Sequence, residues 1–178
     1  WFGNLVTMRW FDDLWLKEGF ANYMAAKAAA AFVPEYEPWS AFHALKTAAY
    51  RTDATRGTTP LRQPLANLSH AKSAYGSIVY AKGPAVLRQA EFYLGETAFR
   101  RAVRDFLKRH AWGSADWGDL VRAFERAAGR DLKGWAEAWV ARRWVEPEQG
   151  ADQVWIFGDI DLARVRLIYD LRRDLDTP

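Results

Sequence analysis

The sequence contains no cysteine, which excludes a disulfide framework and any thiolate metal site and fits a reducing compartment, so cytoplasm is the expected location. No apolar run approaches the roughly 18 residues needed to span a bilayer, and no charged-then-apolar leader opens the chain. A membrane partner is therefore not expected. There is also no basic block: the 25 Lys and Arg residues and 22 Asp and Glu residues are scattered, for a net charge of +3. Without a basic track for a phosphate backbone, nucleic acid is not an expected partner either. Finally, the chain lacks an initiator Met. It opens on Trp1-Phe2-Gly3, with the apolar Leu5-Val6-Thr7-Met8 close behind, which has the look of an internal cut.

What is present suits an ordinary globular domain. With 178 residues, 50% of them hydrophobic, the chain can bury a sizeable core. Aromatic residues make up 15% of it and should dominate that core.

Local patterns predict a mainly α fold. An acidic opening at Asp12 or Asp13, strong helix formers and the run Ala28 to Ala31 predict a long helix ending before Pro34. Pro38 suits the first turn of a second helix, with Trp39, Phe42, Leu45 and Ala49 at three- and four-residue spacing. Gly57, Pro60 and Pro64 then mark Thr52 to Asn67 as a long surface connection. Ser69 is a candidate cap for a short helix through Tyr75, and a further helix is predicted from Lys82 to Leu94, with Pro84 in its first turn or at a kink. Gly95 separates it from a helix over about Thr97 to His110. Asp116 opens the next helix, Gly129 closes it, and another follows from Asp131, with Leu132, Trp135, Trp139 and Val140 apolar. Val154 to Phe157 and Val165 to Tyr169 read as a short β-hairpin, which divides the chain at about 1–150 and 151–178.

One carboxylate is placed unusually. The three-, four- and seven-residue neighbours of Glu18 on its helix include Phe11, Leu14, Trp15, Ala21 and Ala25. A carboxylate set into an apolar stripe normally pairs, neutralises or binds a metal. The residues alone leave open a solvated glutamate at the stripe's edge, paired with Lys17. Tyr80 is open to a plain reading too, as a core tyrosine with a satisfied hydroxyl. Asp13 is read first as the N-terminal cap of the long helix and second as a residue that orients a metal-binding histidine. His43, His70 and His110 are not spaced as a metal pair, and His110 suits a helix C-terminus. Arg100, Arg101, Arg104, Lys108 and Arg109 read as the solvated face of one helix.

Two blocks carry a resemblance. Trp1-Phe2-Gly3-Asn4-Leu5-Val6-Thr7-Met8, followed by Trp10-Phe11-Asp12-Asp13-Leu14-Trp15-Leu16-Lys17-Glu18-Gly19-Phe20-Ala21, resembles the segment that follows HExxH in the aminopeptidase N family of zinc metallopeptidases, the gluzincins. Tyr75-Gly76-Ser77-Ile78-Val79-Tyr80-Ala81-Lys82-Gly83 is similar to that family's Tyr-x-Lys-Gly element. The resemblance covers about Trp1 to Trp144 and departs from the family at Lys17, Phe11, Thr59-Pro60 and Val145-Glu146-Pro147.

The resemblance implies the C-terminal helical part of a thermolysin-like metallopeptidase catalytic domain. It implies that Glu18 is the third ligand of a single zinc ion and that the Tyr80 hydroxyl stabilises the oxyanion of the tetrahedral intermediate. The parent would release N-terminal amino acids from peptides. The HExxH histidines, the general base between them and the loop that binds the substrate's amino terminus would all precede Trp1, so this chain alone is expected to be inactive and to pair with the upstream part of its own catalytic domain. The readings that compete with it are a noncatalytic scaffold or protein-binding module of the same fold, and an independently stable helical module.

Overall fold

A computed structural model describes residues 1–142. The predicted hairpin and the boundary at 150 lie outside the described residues. Within them the chain is built from seven α-helices and two short strands. Strand β1 is Val6–Met8, followed by a 3-10 turn at Phe11–Asp13 and helix α1, Leu14–Phe32. Helix α2 is Pro38–Asp53 and α3 is Leu68–Ala74. A π-helical turn, Ile78–Lys82, runs directly into α4, Gly83–Leu94. Then come α5, Glu96–His110, strand β2, Gly113–Ala115, helix α6, Trp117–Ala128, and α7, Lys133–Ala136, which passes into a second π turn at Glu137–Ala141. The strands pair in parallel, with Val6 opposite Gly113 and Met8 opposite Ala115.

The first half of α1 enters the core. Leu14, Trp15, Leu16, Gly19, Phe20 and Tyr23 are all buried, whereas the end of the helix emerges and leaves Phe32 exposed. Aromatic contacts continue from Tyr23, edge-to-face with Phe99 at 6.0 Å between ring centroids, to Phe124, stacked on Phe99 at 5.5 Å. Helices α5 and α6 pack closely through two regular faces, Phe99, Ala102, Val103 and Phe106 on one side and Leu120, Val121, Ala123 and Phe124 on the other. Helix α6 is held at its start by a capping box: Asp116 Oδ1 accepts from the Asp119 N–H at 2.9 Å, and Asp119 Oδ2 accepts from the Asp116 N–H at 3.1 Å. At its end Gly129 takes the left-handed conformation, φ 67°, that a side chain would strain.

Several expectations need correction. Asp13 stands at the start of α1, but its carboxylate does not cap that helix. It reaches across to α6 and accepts from the Trp117 N–H at 3.1 Å, because burial turns it away from its own helix end. Asn67, not Ser69, caps α3, its side-chain oxygen accepting from the His70 N–H at 3.2 Å. Leu45 is 59% exposed although its spacing from Trp39 and Phe42 points inward, since the described residues leave that part of α2 uncovered. The connection after α2 is not wholly at the surface. Thr58 and Leu61 are buried, and the Arg62 and Gln63 amides donate to the Val140 and Asp12 carbonyls.

Candidate functional site

The structure brings Glu18 and Tyr80 together from elements far apart in sequence. Helix α1 packs on the π turn that carries Tyr80. The approach is close because Gly19 and Gly83 face each other at the crossing. A Cβ on Gly19 would lie 3.3 Å from the Gly83 carbonyl carbon, so the backbones meet where a side chain would push them apart.

Glu18 and Asn22 lie one turn apart on α1. The Asn22 Nδ2 group donates to the Tyr80 carbonyl at 2.9 Å. The Glu18 carboxylate lies close enough to the Tyr80 hydroxyl for its charge to act on the phenol. Burial, first, and the Glu18 charge, second, raise the Tyr80 phenol above its ordinary range, so it stays neutral and able to donate. The Glu18 side chain is 19% exposed, and its Oε1 lies 2.9 Å from Lys17 Nζ. The hydrogen bond to Glu18 in turn raises the Lys17 amine. The Tyr75 ring stands 6.2 Å from that of Tyr80 and completes the cluster.

The apolar stripe expected around Glu18 is only half closed, because Ala21, Asn22 and Ala25 are exposed. Glu18 therefore sits at an edge, within reach of both a cation and a phenol. That the edge glutamate pairs with Lys17 is one of the two readings left open by the sequence. The neighbouring Tyr80 is what that plain reading does not supply.

Asp13 belongs to a different neighbourhood. Its Oδ1 atom is buried without a hydrogen bond, 4.0 Å from Arg62 Nε. Burial outweighs the Trp117 N–H and Arg62 and lifts the carboxyl to about 6. No histidine joins Glu18: His43 and His70 are exposed, and His110 ends α5 with its Nε2 3.9 Å from Asp119 Oδ1. Among the described residues no group of three His, Cys, Asp or Glu side chains could hold a metal ion. The one carboxylate at the site fits a zinc ligand in chemistry and exposure, but a catalytic zinc centre needs three protein ligands and the chain's three histidines do not supply the others.

A residue that sequence reasoning passed over lies just beyond Tyr80. Lys82 is fully buried, with its Nζ 2.8 Å from Asp53 Oδ2 at the end of α2, and Asp53 Oδ1 accepts from the equally buried Thr58 hydroxyl. Its signal was a charged residue inside an otherwise apolar run, Ile78 to Leu87.

Comparison with known proteins shows the family of the chain. The model of the peptidase family M1 domain matches residues 1–139. The chain is 43% identical over 143 residues to aminopeptidase N of Streptomyces lividans, covering 79% of the chain and 17% of that protein. It is 36% identical to tricorn protease-interacting factor F2 of Thermoplasma volcanium, covering 80% and 18%. It is 34% identical to leucyl aminopeptidase of Saccharolobus solfataricus, again covering 80% and 18%. The helical fold and the Glu18–Tyr80 cluster thus lie within the segment shared with a class of peptidases, and the chain belongs to peptidase family M1. It spans less than a fifth of the length of these relatives. Among the described residues no helix is long and apolar enough to cross a membrane.

Proposed function

We propose that this chain is the helical part of a zinc-dependent aminopeptidase that removes N-terminal residues from peptides. The observation that carries the reading is the juxtaposition of Glu18 and Tyr80 across the α1 crossing, inside the segment matched to the M1 family. In this reading Glu18 is one zinc ligand, and the other ligands and the general base come from the rest of a longer catalytic domain. When bound, zinc supplies a Lewis acid for the scissile carbonyl and an activated water.

The remaining work falls to side chains of this chain. Tyr80 stays protonated and offers its hydroxyl to the oxygen that gains charge as the carbonyl becomes tetrahedral. A donor directed at charge present only in the transition state lowers the barrier selectively. The Glu18 carboxylate, with Oε1 2.9 Å from Lys17 Nζ, is the group that would coordinate. Asp13 lies outside the Glu18–Tyr80 cluster and accepts from the Trp117 N–H of α6. The absence of cysteine supports a cytoplasmic setting.

The test uses a parent protein that carries the zinc-binding motif. Glu18→Ala should lose most of the zinc, measured by elemental analysis, and Tyr80→Phe should keep the metal but lose turnover by about a hundredfold or more. Unchanged metal content in the first variant, or near-normal turnover in the second, overturns the corresponding role. A noncatalytic scaffold or protein-binding module of the same fold is the second reading. If the parent binds no zinc, the scaffold reading replaces the enzyme.

A further inference from the structure

The π turn beneath Tyr80 is held at both ends. It is wider than an α-turn, with the Gly83 N–H donating to the Ile78 carbonyl five residues back. Pro84 helps to explain the widening. Its ring would collide with the carbonyl four residues earlier in a regular α-helix, and that carbonyl belongs to Tyr80. Having no N–H, Pro84 also gives the Tyr80 carbonyl no donor, and Asn22 Nδ2 provides one from α1. At the far end Lys82 runs into the interior to meet Asp53, which Thr58 also binds.

A buried ion pair adds little stability on balance, because desolvation offsets the attraction and apolar residues of similar volume often do as well or better. Its presence two residues from Tyr80 points to a different use. A π turn carries one residue more than the α-turn it replaces, and relaxing it would rotate the residues before it by roughly 100° about the helix axis.

We propose that Lys82 is a positioning residue: its pairing with Asp53 draws the end of the π turn toward α2, keeps the extra residue within the helix and so holds Tyr80 against Glu18. The proposal deepens the aminopeptidase reading, which gives the placement of Tyr80 its catalytic meaning, but the placement itself can be measured without zinc or turnover.

The experiment is solution NMR on the 178-residue chain with the double substitution Lys82→Met and Asp53→Asn, which removes both charges together and leaves Thr58 an acceptor. The thermal midpoint should stay within a few degrees of the unsubstituted chain. The Gly83 amide should exchange at least tenfold faster, and cross-peaks between the Tyr75 and Tyr80 rings should disappear. Unchanged Gly83 exchange with intact cross-peaks overturns the proposal, since an ion pair used only for structure would leave both readouts alone once stability is kept. If the double variant does not fold, Thr58→Val decides. That isosteric change loosens the hold on Asp53 and should speed Gly83 exchange severalfold without altering α5 or α6 amides, and no change at Gly83 overturns the proposal. Should Tyr80→Phe prove fully active in the parent while these NMR changes appear, the catalytic reading fails and the positioning of Tyr80 stands.

Discussion

The helical pair α5–α6 and the crossing of α1 with the π turn are built by opposite rules. In the pair, apolar residues recur at helical spacing, a reciprocal cap opens α6 and a left-handed glycine closes it. At the crossing the helix is widened, a proline sits at the junction, two glycines let backbones touch, and a lysine and an aspartate are buried together. Each departure at the crossing has a cost that the regular pair avoids. The difference separates what holds the domain together from what sets the orientation of Tyr80 and Glu18.

That division can be broken by substitutions on either side of it. The largest effect belongs to the regular pair. Phe124→Ala removes a fully buried ring stacked on Phe99 and should cost about 3–5 kcal/mol in urea unfolding. Next comes Asp13, which ties α1 to α6. Its carboxyl is raised from 3.8 to about 6, so the folded state holds the proton more tightly than the unfolded chain. The stabilisation from this group is complete below about pH 4 and is lost as pH rises through 6, a swing of about 3 kcal/mol. Asp13→Asn should abolish that swing, seen as the difference between the urea midpoints of the two proteins from pH 4 to 7. An unchanged difference across that range would remove Asp13 from the account.

A smaller loss, about 1 kcal/mol, is expected for Asp116→Ala, which opens the capping box. The smallest belongs to the proposed site. Glu18→Gln should change stability by no more than about 0.5 kcal/mol in the metal-free chain, because its pair with Lys17 lies near the surface. A loss of several kcal/mol there would erase the contrast and make Glu18 a structural residue.

The regular half was open to reading from sequence because its signals are local. Asp116, Gly95 and Gly129 mark ends, and Phe99, Val103 and Phe106 repeat at the helical period. The irregular half depends on contacts that no window contains. Asp13 carries a capping residue's chemistry at a capping position, yet its partner is Trp117, 104 residues away. Leu45 follows the inward spacing of α2 and still faces out. Pro84 announced a helix start or a kink, and the structure resolves that choice into a π turn passing into α4. The pairing of Lys82 with Asp53 leaves no periodic trace, and the approach of Glu18 to Tyr80 was suggested only by blocks resembling a known family.

The extra residue in the π turn also acts as a phase shift in a periodic signal. Tyr80 lies inside the turn, and the residues from Gly83 onward follow a helical wheel displaced by about one position from the one an unbroken α-helix through Tyr80 would give. Lengthening or shortening the segment between Tyr80 and Pro84 by a single residue would therefore preserve the motif letters on either side while turning the phenol to a new azimuth. In this part of the molecule spacing carries as much information as residue identity, and a relative with the same tyrosine but a different count to the proline would not share its geometry.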